Sequence, residues 1–162
     1  PCFRREAGSY GKNVRGLNRL HQFDKVEIVQ LAHPEKSDFH LKEMVAHVSN
    51  LLKELELPFR LIRLCGGDLS FSSSLTYDFE VFSSGQNKWL EVSSVSNFES
   101  FQATRSNIKF RENSKLEFCH TLNGSALALP RIMAAILENN QTESGIKIPE
   151  VLYKYTGFKI IS

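Results

Sequence analysis

Short segments that alternate polar and apolar residues, separated by polar turns, dominate this sequence. Residues 75–83 (LTYDFEVFS) and 88–96 (KWLEVSSVS) flank the turn SGQN, a pattern typical of a β-hairpin. Residues 2–7 and 17–32 predict a longer hairpin around a basic, glycine-rich loop at 8–16. Because hairpin strands pair antiparallel, the sequence predicts an α+β fold with a mainly antiparallel β-sheet flanked by helices.

Two clear helices are expected beside the sheet. The first covers 39–56, where apolar residues recur at spacings of three and four: Leu41, Met44, Val45, Val48, Leu51, Leu52 and Leu55. The second covers 126–140, and Pro130 places its start near 127–130 because proline is tolerated only in the first turn. A further strand is predicted at 59–65, and a short strand with a tight turn at 118–125. Residues 99–111 predict a helix that passes into a strand or loop. With 162 residues and 41% hydrophobic content, the chain fits one domain.

The positive charge is concentrated at the front of the chain. Net charge is +2, yet residues 1–25 carry six basic side chains against Glu6 and Asp24. Such a patch favours an anionic ligand such as phosphate or nucleic acid. The three cysteines are far apart and form no CxxC pair, which argues against a zinc site or a disulfide framework and predicts a cytoplasmic protein with reduced thiols. No apolar run is long enough to predict a membrane span.

The first predicted hairpin combines groups that suit a nucleotide. Period-two alternation places Arg4 and Glu6 on one strand face, and Phe23 and Glu27 on one face of the returning strand. An arginine can hold a phosphate through two parallel hydrogen bonds, and a phenyl ring can stack on a base. The alternative to a nucleotide site is that the arginine and glutamate side chains form cross-strand ion pairs on a solvated face. Taken alone, these residues favour this alternative.

The segment EVSS at 91–94 is a candidate metal site. A carboxylate and a hydroxyl could hold Mg²⁺ on a nucleotide, since magnesium takes few carboxylates together with phosphate oxygens. Glu91 and Ser93 share a face, whereas Ser94 points away unless the strand bulges or ends. The alternative is the polar face of an edge strand.

The segment TLNGSALALPR at 121–131 predicts a tight turn that delivers Ser125 near a helix start, with Arg131 in the first turns of that helix. Helix N-termini attract anions, and Arg131 opposes the helix dipole, which an anionic partner would explain. The alternative is that Ser125 caps the helix and Arg131 is solvated. The sequence has no GxSxG, P-loop or GxGxxG motif, so covalent catalysis is not expected.

Four colinear stretches resemble seryl-tRNA synthetases, a class II aminoacyl-tRNA synthetase family. CFRREAGSYGKNVRGLNRLHQFDKVE (2–27) resembles motif 2, and LEVSSVSNFESFQATRSNIKFR (90–111) resembles the metal- and ATP-binding strand, at 88–96, with the segment after it. HTLNGSALALPRIMAAILENNQ (120–141) resembles motif 3, and IPEVLYKYTGF (148–158) resembles the C-terminal tail. The resemblance implies that 1–162 is a C-terminal fragment of the catalytic domain, without counterparts of the N-terminal tRNA-binding helical arm and motif 1.

The resemblance also implies residue roles. Arg4 and Arg131 would be catalytic, with Arg4 on the ATP α-phosphate. Phe23 would stack on adenine, Arg131 would pack on the other face of the ring and lie near the γ-phosphate, and Glu6 would contact the adenine side. The implied ATP-binding residues are Arg4, Arg5, Glu6, Phe23, Glu91, Val92, Ser93, Ser94 and Arg131. Glu91 and Ser94 would also hold Mg²⁺, which predicts a break in their strand. The implied serine-binding residues are Glu27, Asn123 and Ser125, and the loop at 8–18 would reach toward the tRNA acceptor end.

The implied activity is that of a serine–tRNA ligase and belongs to the full-length enzyme, with L-serine, ATP, tRNA(Ser) and tRNA(Sec) as substrates or partners and a homodimer as the assembly. The fragment 1–162 alone is expected to be impaired. Two alternatives stay open on sequence. One is a non-enzymatic, synthetase-like module that binds nucleotide or protein, and the other is a basic nucleic-acid-binding domain, which would need a wider basic stripe than 1–25 supplies.

Overall fold

A computed structural model describes residues 1–6 and 16–162 of the chain. The strands are β1 Cys2–Phe3, β2 Gln22–Phe23, β3 Lys25–Ala32, β4 Phe59–Arg63, β5 Leu75–Ser83, β6 Lys88–Asn97, β7 Lys109–Glu112, β8 Lys115–Phe118, β9 His120–Ala128, β10 Gln141–Thr142, β11 Gly145–Lys147 and β12 Ile160–Ile161. The α-helices are α1 Ser37–Glu54, α2 Phe101–Ser106, α3 Leu129–Asn139 and α4 Tyr153–Thr156.

A five-stranded sheet with the order β3-β9-β6-β5-β4 forms the centre of the fold. Every neighbouring pair in it is antiparallel, so the predicted fold class is confirmed. The hairpin predicted over 75–96 is β5 and β6 with nearly the predicted bounds. Within the described residues the front hairpin is shorter than predicted, since the strand pairing there joins Cys2–Phe3 to Gln22–Phe23.

The core lies between this sheet and the helices α1 and α3. From α1, the predicted stripe supplies fully buried Leu41, Met44, Val48 and Leu52. They pack in one cluster with sheet residues such as Phe79 and with α3. Pro130 stands in the first turn of α3, as the sequence predicts. Backbone N–H groups in a first turn have no partner within the helix, so the N–H that proline lacks is not missed there.

The tight turn predicted to deliver Ser125 is wrong, because β9 runs through Asn123, Gly124 and Ser125. Gly124 has a different reason to be glycine. A Cβ built on it would lie 2.8 Å from Val95 Cγ2 and 3.1 Å from the Ser94 carbonyl oxygen. The absent side chain therefore lets β6 and β9 approach each other closely, and Ser125 is presented by a strand.

The strand predicted over 2–7 is also too long. β1 ends at Phe3, and Glu6 has a φ of 52°, in the left-handed region that side chains other than glycine rarely adopt. Arg4 and Glu6 therefore do not share a strand face. Of the loop at 8–18, which the resemblance directs toward tRNA, residues 8–15 lie outside the described residues, and Gly16–Asn18 form a short 3₁₀ helix.

One edge of the central sheet is apolar and exposed. Within the described residues β3 pairs only with β9 in this sheet, and it exposes Val26, Val29 and Leu31 by 54%, 65% and 59%. An exposed apolar edge strand of this kind can pair with another chain. None of the described helices is both long and apolar enough to cross a bilayer.

Candidate active site

A β-bulge at Val92 shapes the centre of the candidate site. Phe79 pairs with Ser93 and Glu80 pairs with Glu91, which leaves Val92 as an extra residue in β6. In a regular strand, residues three apart point to opposite faces. Because of the bulge, Glu91 and Ser94 lie opposite Glu80 and Asp78, which are two apart on β5 and share a face. The predicted break is confirmed, and it brings Glu91 and Ser94 to the same face.

A pocket of about 270 Å³ opens beside this bulge. It lies where β6, β9 and the start of α3 meet the segment 16–20, β2 and the first residues of the chain. The lining residues are Arg4, Glu6, Leu17, Asn18, Arg19, Leu20, Phe23, Lys25, Glu91, Val92, Ser93, Ser125, Ala128, Pro130 and Arg131. Its size is close to the lower end of ordinary small-molecule sites.

The charge of the pocket wall is predominantly positive. Four cationic side chains and two carboxylates line it, namely Arg4, Arg19, Lys25 and Arg131 against Glu6 and Glu91. A concave site with this balance attracts a polyanion.

Arg131 is held by the backbone on two sides. Its Nε donates to the carbonyl oxygen of Asn18 at 3.1 Å, and an Nη donates to the carbonyl oxygen of Glu91. The guanidinium therefore bridges the segment 16–20 and the bulged strand β6. These bonds give Arg131 a place within the fold, although it stands early in a helix where its charge opposes the dipole. They leave part of its planar donor fork for a ligand.

The pocket lining also includes Phe23, the aromatic ring predicted for adenine. The Arg4 guanidinium carbon lies 5.5 Å from the centroid of the Phe23 ring, within cation–π range. Glu6 forms an ion pair with Arg19, and its side chain is only 11% exposed. The sequence leaves open an ion pair between an arginine and a glutamate of the front hairpin. Such a pair exists, and the arginine that pairs with Glu6 is Arg19.

A second group of polar side chains extends from the pocket along β3 and β9. Ser125 Oγ donates to a carboxylate oxygen of Glu27 at 3.2 Å, and Lys25 Nζ lies 2.9 Å from the same oxygen. Ser125 therefore does not cap α3, whose N-cap residue is Ala128. Asn123 shares the face of Ser125 and donates through Nδ2 to Oε1 of Gln102 at 3.0 Å.

The carboxylates around the bulge repel one another. The pKa of Glu91 is raised above its usual value, mainly because the protein partly shields its carboxylate from solvent. The nearby negative charges of Asp78 and Glu80 raise the pKa further, and the positive charges of Arg131 and Arg4 lower it. Burial also raises the pKa of Asp78, and hydrogen bonding to Ser94 opposes this. A bound cation would relieve this repulsion.

The structure brings most of the predicted residues together. The pocket contains Arg4, Glu6, Phe23, Glu91, Val92, Ser93, Ser125 and Arg131. Ser93 uses its hydroxyl to bond the Ser125 carbonyl, so it orders the wall. Four predicted residues lie outside this lining: exposed Arg5, Ser94 beside Asp78, Glu27 beside Ser125, and Asn123 beside Gln102.

Sequence reasoning missed Asn18, Gln102 and Asp78 as neighbours of the site. Each is an ordinary polar residue in a predicted strand or helix, so no local signal marks it. The sequence identified Arg19 and Lys25 only as part of the basic segment 1–25. The structure shows that both side chains line the pocket.

Comparison with known proteins places the fold in a family. The family described as "tRNA synthetase class II core domain (G, H, P, S and T)" matches residues 1–140. The chain belongs to this class II tRNA synthetase core-domain family.

The similar proteins within this family include serine–tRNA ligases. The serine–tRNA ligase of Salinibacter ruber is 55% identical over 161 residues, which are 98% of this chain and 38% of that protein. The seryl-tRNA synthetase of Pyrococcus horikoshii, solved with ATP, has a TM-score of 0.94 and 43% identity, covering 99% of this chain and 37% of that one. The cytoplasmic serine–tRNA ligase of Naegleria fowleri, solved with AMP, has a TM-score of 0.93 and 35% identity, covering 99% of this chain and 39% of that one. The class II chain described here thus spans less than two fifths of these relatives.

Proposed function

We propose that the pocket binds ATP and L-serine and forms seryl-adenylate, as the catalytic core of a serine–tRNA ligase. The observation that carries this proposal is the combination of four cationic side chains, an aromatic ring and two carboxylates in one pocket. Relatives named serine–tRNA ligase, one of them solved with ATP, support it. In the proposal, Phe23 and Arg131 contact the adenine ring, Arg4 neutralises the α-phosphate and Glu6 faces the adenine edge.

The proposed reaction needs positioning and charge neutralisation rather than a protein nucleophile. A serine carboxylate oxygen attacks the α-phosphorus, a new P–O bond forms, and the bond to the β-phosphate oxygen breaks to release pyrophosphate. Negative charge grows on the α-phosphate oxygens, where Arg4 would stabilise it. Removing one such preorganised donor costs about 3 kcal/mol. A terminal ribose hydroxyl of tRNA then attacks the seryl carbonyl, and AMP leaves.

Serine recognition is proposed for the polar group along β3 and β9. Glu27 would hold the ammonium group, and Ser125 and Asn123 would contact the amino or hydroxyl group of the substrate. The 3.2 Å hydrogen bond between Ser125 and Glu27 supports this, because it orients a carboxylate next to the pocket.

A magnesium ion is proposed to accompany ATP at the bulge. Glu91 and Ser94 share a face there and offer the oxygen ligands that Mg²⁺ prefers, and a neighbouring carboxylate oxygen, Asp78 Oδ1, is buried without a partner in the described residues. Among those residues no three His, Cys, Asp or Glu side chains are arranged to hold a metal. The ion would therefore take most of its ligands from phosphate and water, as Mg²⁺ does in other nucleotide sites.

The proposal extends to partners. tRNA(Ser), and tRNA(Sec) as a further substrate, would receive serine, the full-length enzyme would be a homodimer, and the protein would act in the cytoplasm. The three free cysteines are consistent with a reducing compartment.

ATP–pyrophosphate exchange with serine, and with threonine as control, tests this function. In the full-length enzyme, serine-dependent exchange that Arg4→Ala abolishes is the expected result. ATP binding without exchange would favour the alternative of a non-enzymatic nucleotide-binding module for this chain.

A further inference from the structure

Asp78 stands directly beside a proposed metal ligand without belonging to the proposed set. It lies on β5, opposite Ser94 of β6. The bulge at Val92 places Ser94 on the same face as Glu91, so Asp78, Ser94 and Glu91 all lie on one face of the hairpin. This direct pairing places the Ser94 hydroxyl and the Asp78 carboxyl side by side on that face.

The surroundings of Asp78 contain an unused acceptor. Its Oδ1 atom is buried and has no hydrogen-bond partner within residues 1–6 and 16–162. Glu80, the next carboxylate on the same face, is different, because Arg60 neutralises it through an ion pair. Neither Asp78 nor Glu91 has such a cationic partner in the part of the chain that the structure describes. A buried carboxylate with an open acceptor is costly unless a ligand or water satisfies it.

A serine hydroxyl can ligate a cation only through an oxygen lone pair. Its proton must then point away from the cation, toward another acceptor. Asp78 lies directly opposite Ser94 and has an acceptor atom without a partner in the described residues, so it is placed to accept that proton. This is the arrangement by which groups behind a metal ligand fix its orientation and raise its affinity for the metal.

We infer that Asp78 is a positioning residue for the ATP-bound divalent cation and acts by orienting the Ser94 hydroxyl. The inference rests on the proposed ATP site and adds a residue that neither the sequence nor the family resemblance assigned. Asp78 does not touch the reacting atoms, so its contribution appears only when the cation is present.

Isothermal titration of the 162-residue chain with α,β-methylene-ATP, in Mn²⁺ and in EDTA, tests the inference. The ratio of the two dissociation constants measures how much the cation contributes. Asp78→Ala should lower this ratio about 10- to 100-fold, the usual effect of losing a group that orients a metal ligand. The affinity in EDTA should stay unchanged, which a general structural defect would not allow.

Three further variants sharpen the test. Asp78→Asn keeps the shape and an acceptor oxygen, so it should retain most of the cation-dependent affinity. Glu80→Gln removes a carboxylate from the same strand face, and should change the ratio by about threefold or less because its partner is Arg60. In a Ser94→Ala background, Asp78→Ala should have no further effect, because residues that act through each other are not additive.

Two outcomes overturn the inference. If the unaltered chain binds the analogue and Asp78→Ala keeps the full ratio, Asp78 has no positioning role although the ATP site stands. If the unaltered chain binds the analogue neither in Mn²⁺ nor in EDTA, the proposed ATP site itself is refuted, and the role of Asp78 with it.

Discussion

Replacing Gly124 by alanine tests the close contact between β6 and β9 on which the site depends. The added Cβ would lie 2.8 Å from Val95 Cγ2, 3.0 Å from Val95 Cα and 3.1 Å from the Ser94 carbonyl oxygen, whereas ordinary contact begins at 3.4 Å. Val95 is fully buried, so its side chain cannot move into solvent. The two strands must therefore separate by several tenths of an ångström.

The magnitude follows from two opposing effects. Inserting a methyl group into a packed core costs about 1–3 kcal/mol. Alanine recovers about 0.5–1 kcal/mol of the conformational entropy that glycine loses in a strand. The free energy of unfolding of Gly124→Ala should therefore fall by about 1–2 kcal/mol. The shift also displaces Ser125 relative to Glu27, so serine-dependent activity should fall with stability.

Urea denaturation followed by circular dichroism measures this change, and Gly67→Ala is the matched control. A Cβ on Gly67 meets nothing within 4 Å, so that variant should stay within about 0.5 kcal/mol of the original. Equal midpoints for Gly124→Ala and Gly67→Ala would show that the strands tolerate a side chain and that the packing argument is wrong.

Three other predictions concern the pocket and the sheet edge. Phe23→Ala should weaken ATP binding by about 1–3 kcal/mol, the value of one base-stacking contact, and fluorescence titration with a labelled ATP should detect it. Without metal, Glu91→Gln should stabilise the chain at neutral pH, because the raised pKa of Glu91 means that folding disfavours its charged form. Thermal melts should show this gain in stability disappear below the usual pKa of 4.5, where the carboxyl is protonated in both states. A gain that persists there would refute this cause. Leu31→Lys should raise the concentration at which the chain self-associates in light scattering, since it places a charge on the exposed edge strand; an unchanged threshold would exclude that edge.

The sheet and its main helices were predictable because their signals are local. Residues 75–83 alternate regularly, and the apolar stripe of α1 matches the helical period. The bulge at Val92 was predictable only from the resemblance, because Glu91 and Ser94 must share a face to serve one metal.

The failures come from contacts that are distant in sequence. Gly124 was interpreted as a turn, since glycine is a common turn residue, but the close neighbour that excludes a side chain is Val95 on another strand. Glu6 was placed on a strand, although its conformation is left-handed and its carboxylate pairs with Arg19, thirteen residues away. The place of Asp78 beside Ser94 depends on the register of β5 and β6, which the bulge shifts.

Binding of a non-hydrolysable seryl-adenylate analogue, 5′-O-(N-seryl)sulfamoyl adenosine, to the 162-residue chain tests the central claim most directly. This ligand occupies the proposed ATP and serine positions together and does not require turnover. We expect saturable one-to-one binding by calorimetry, weaker binding of the threonyl analogue, and strongly reduced binding in Arg131→Gln. Absence of saturable binding, or equal affinity in Arg131→Gln, would contradict the assignment of this pocket to serine activation.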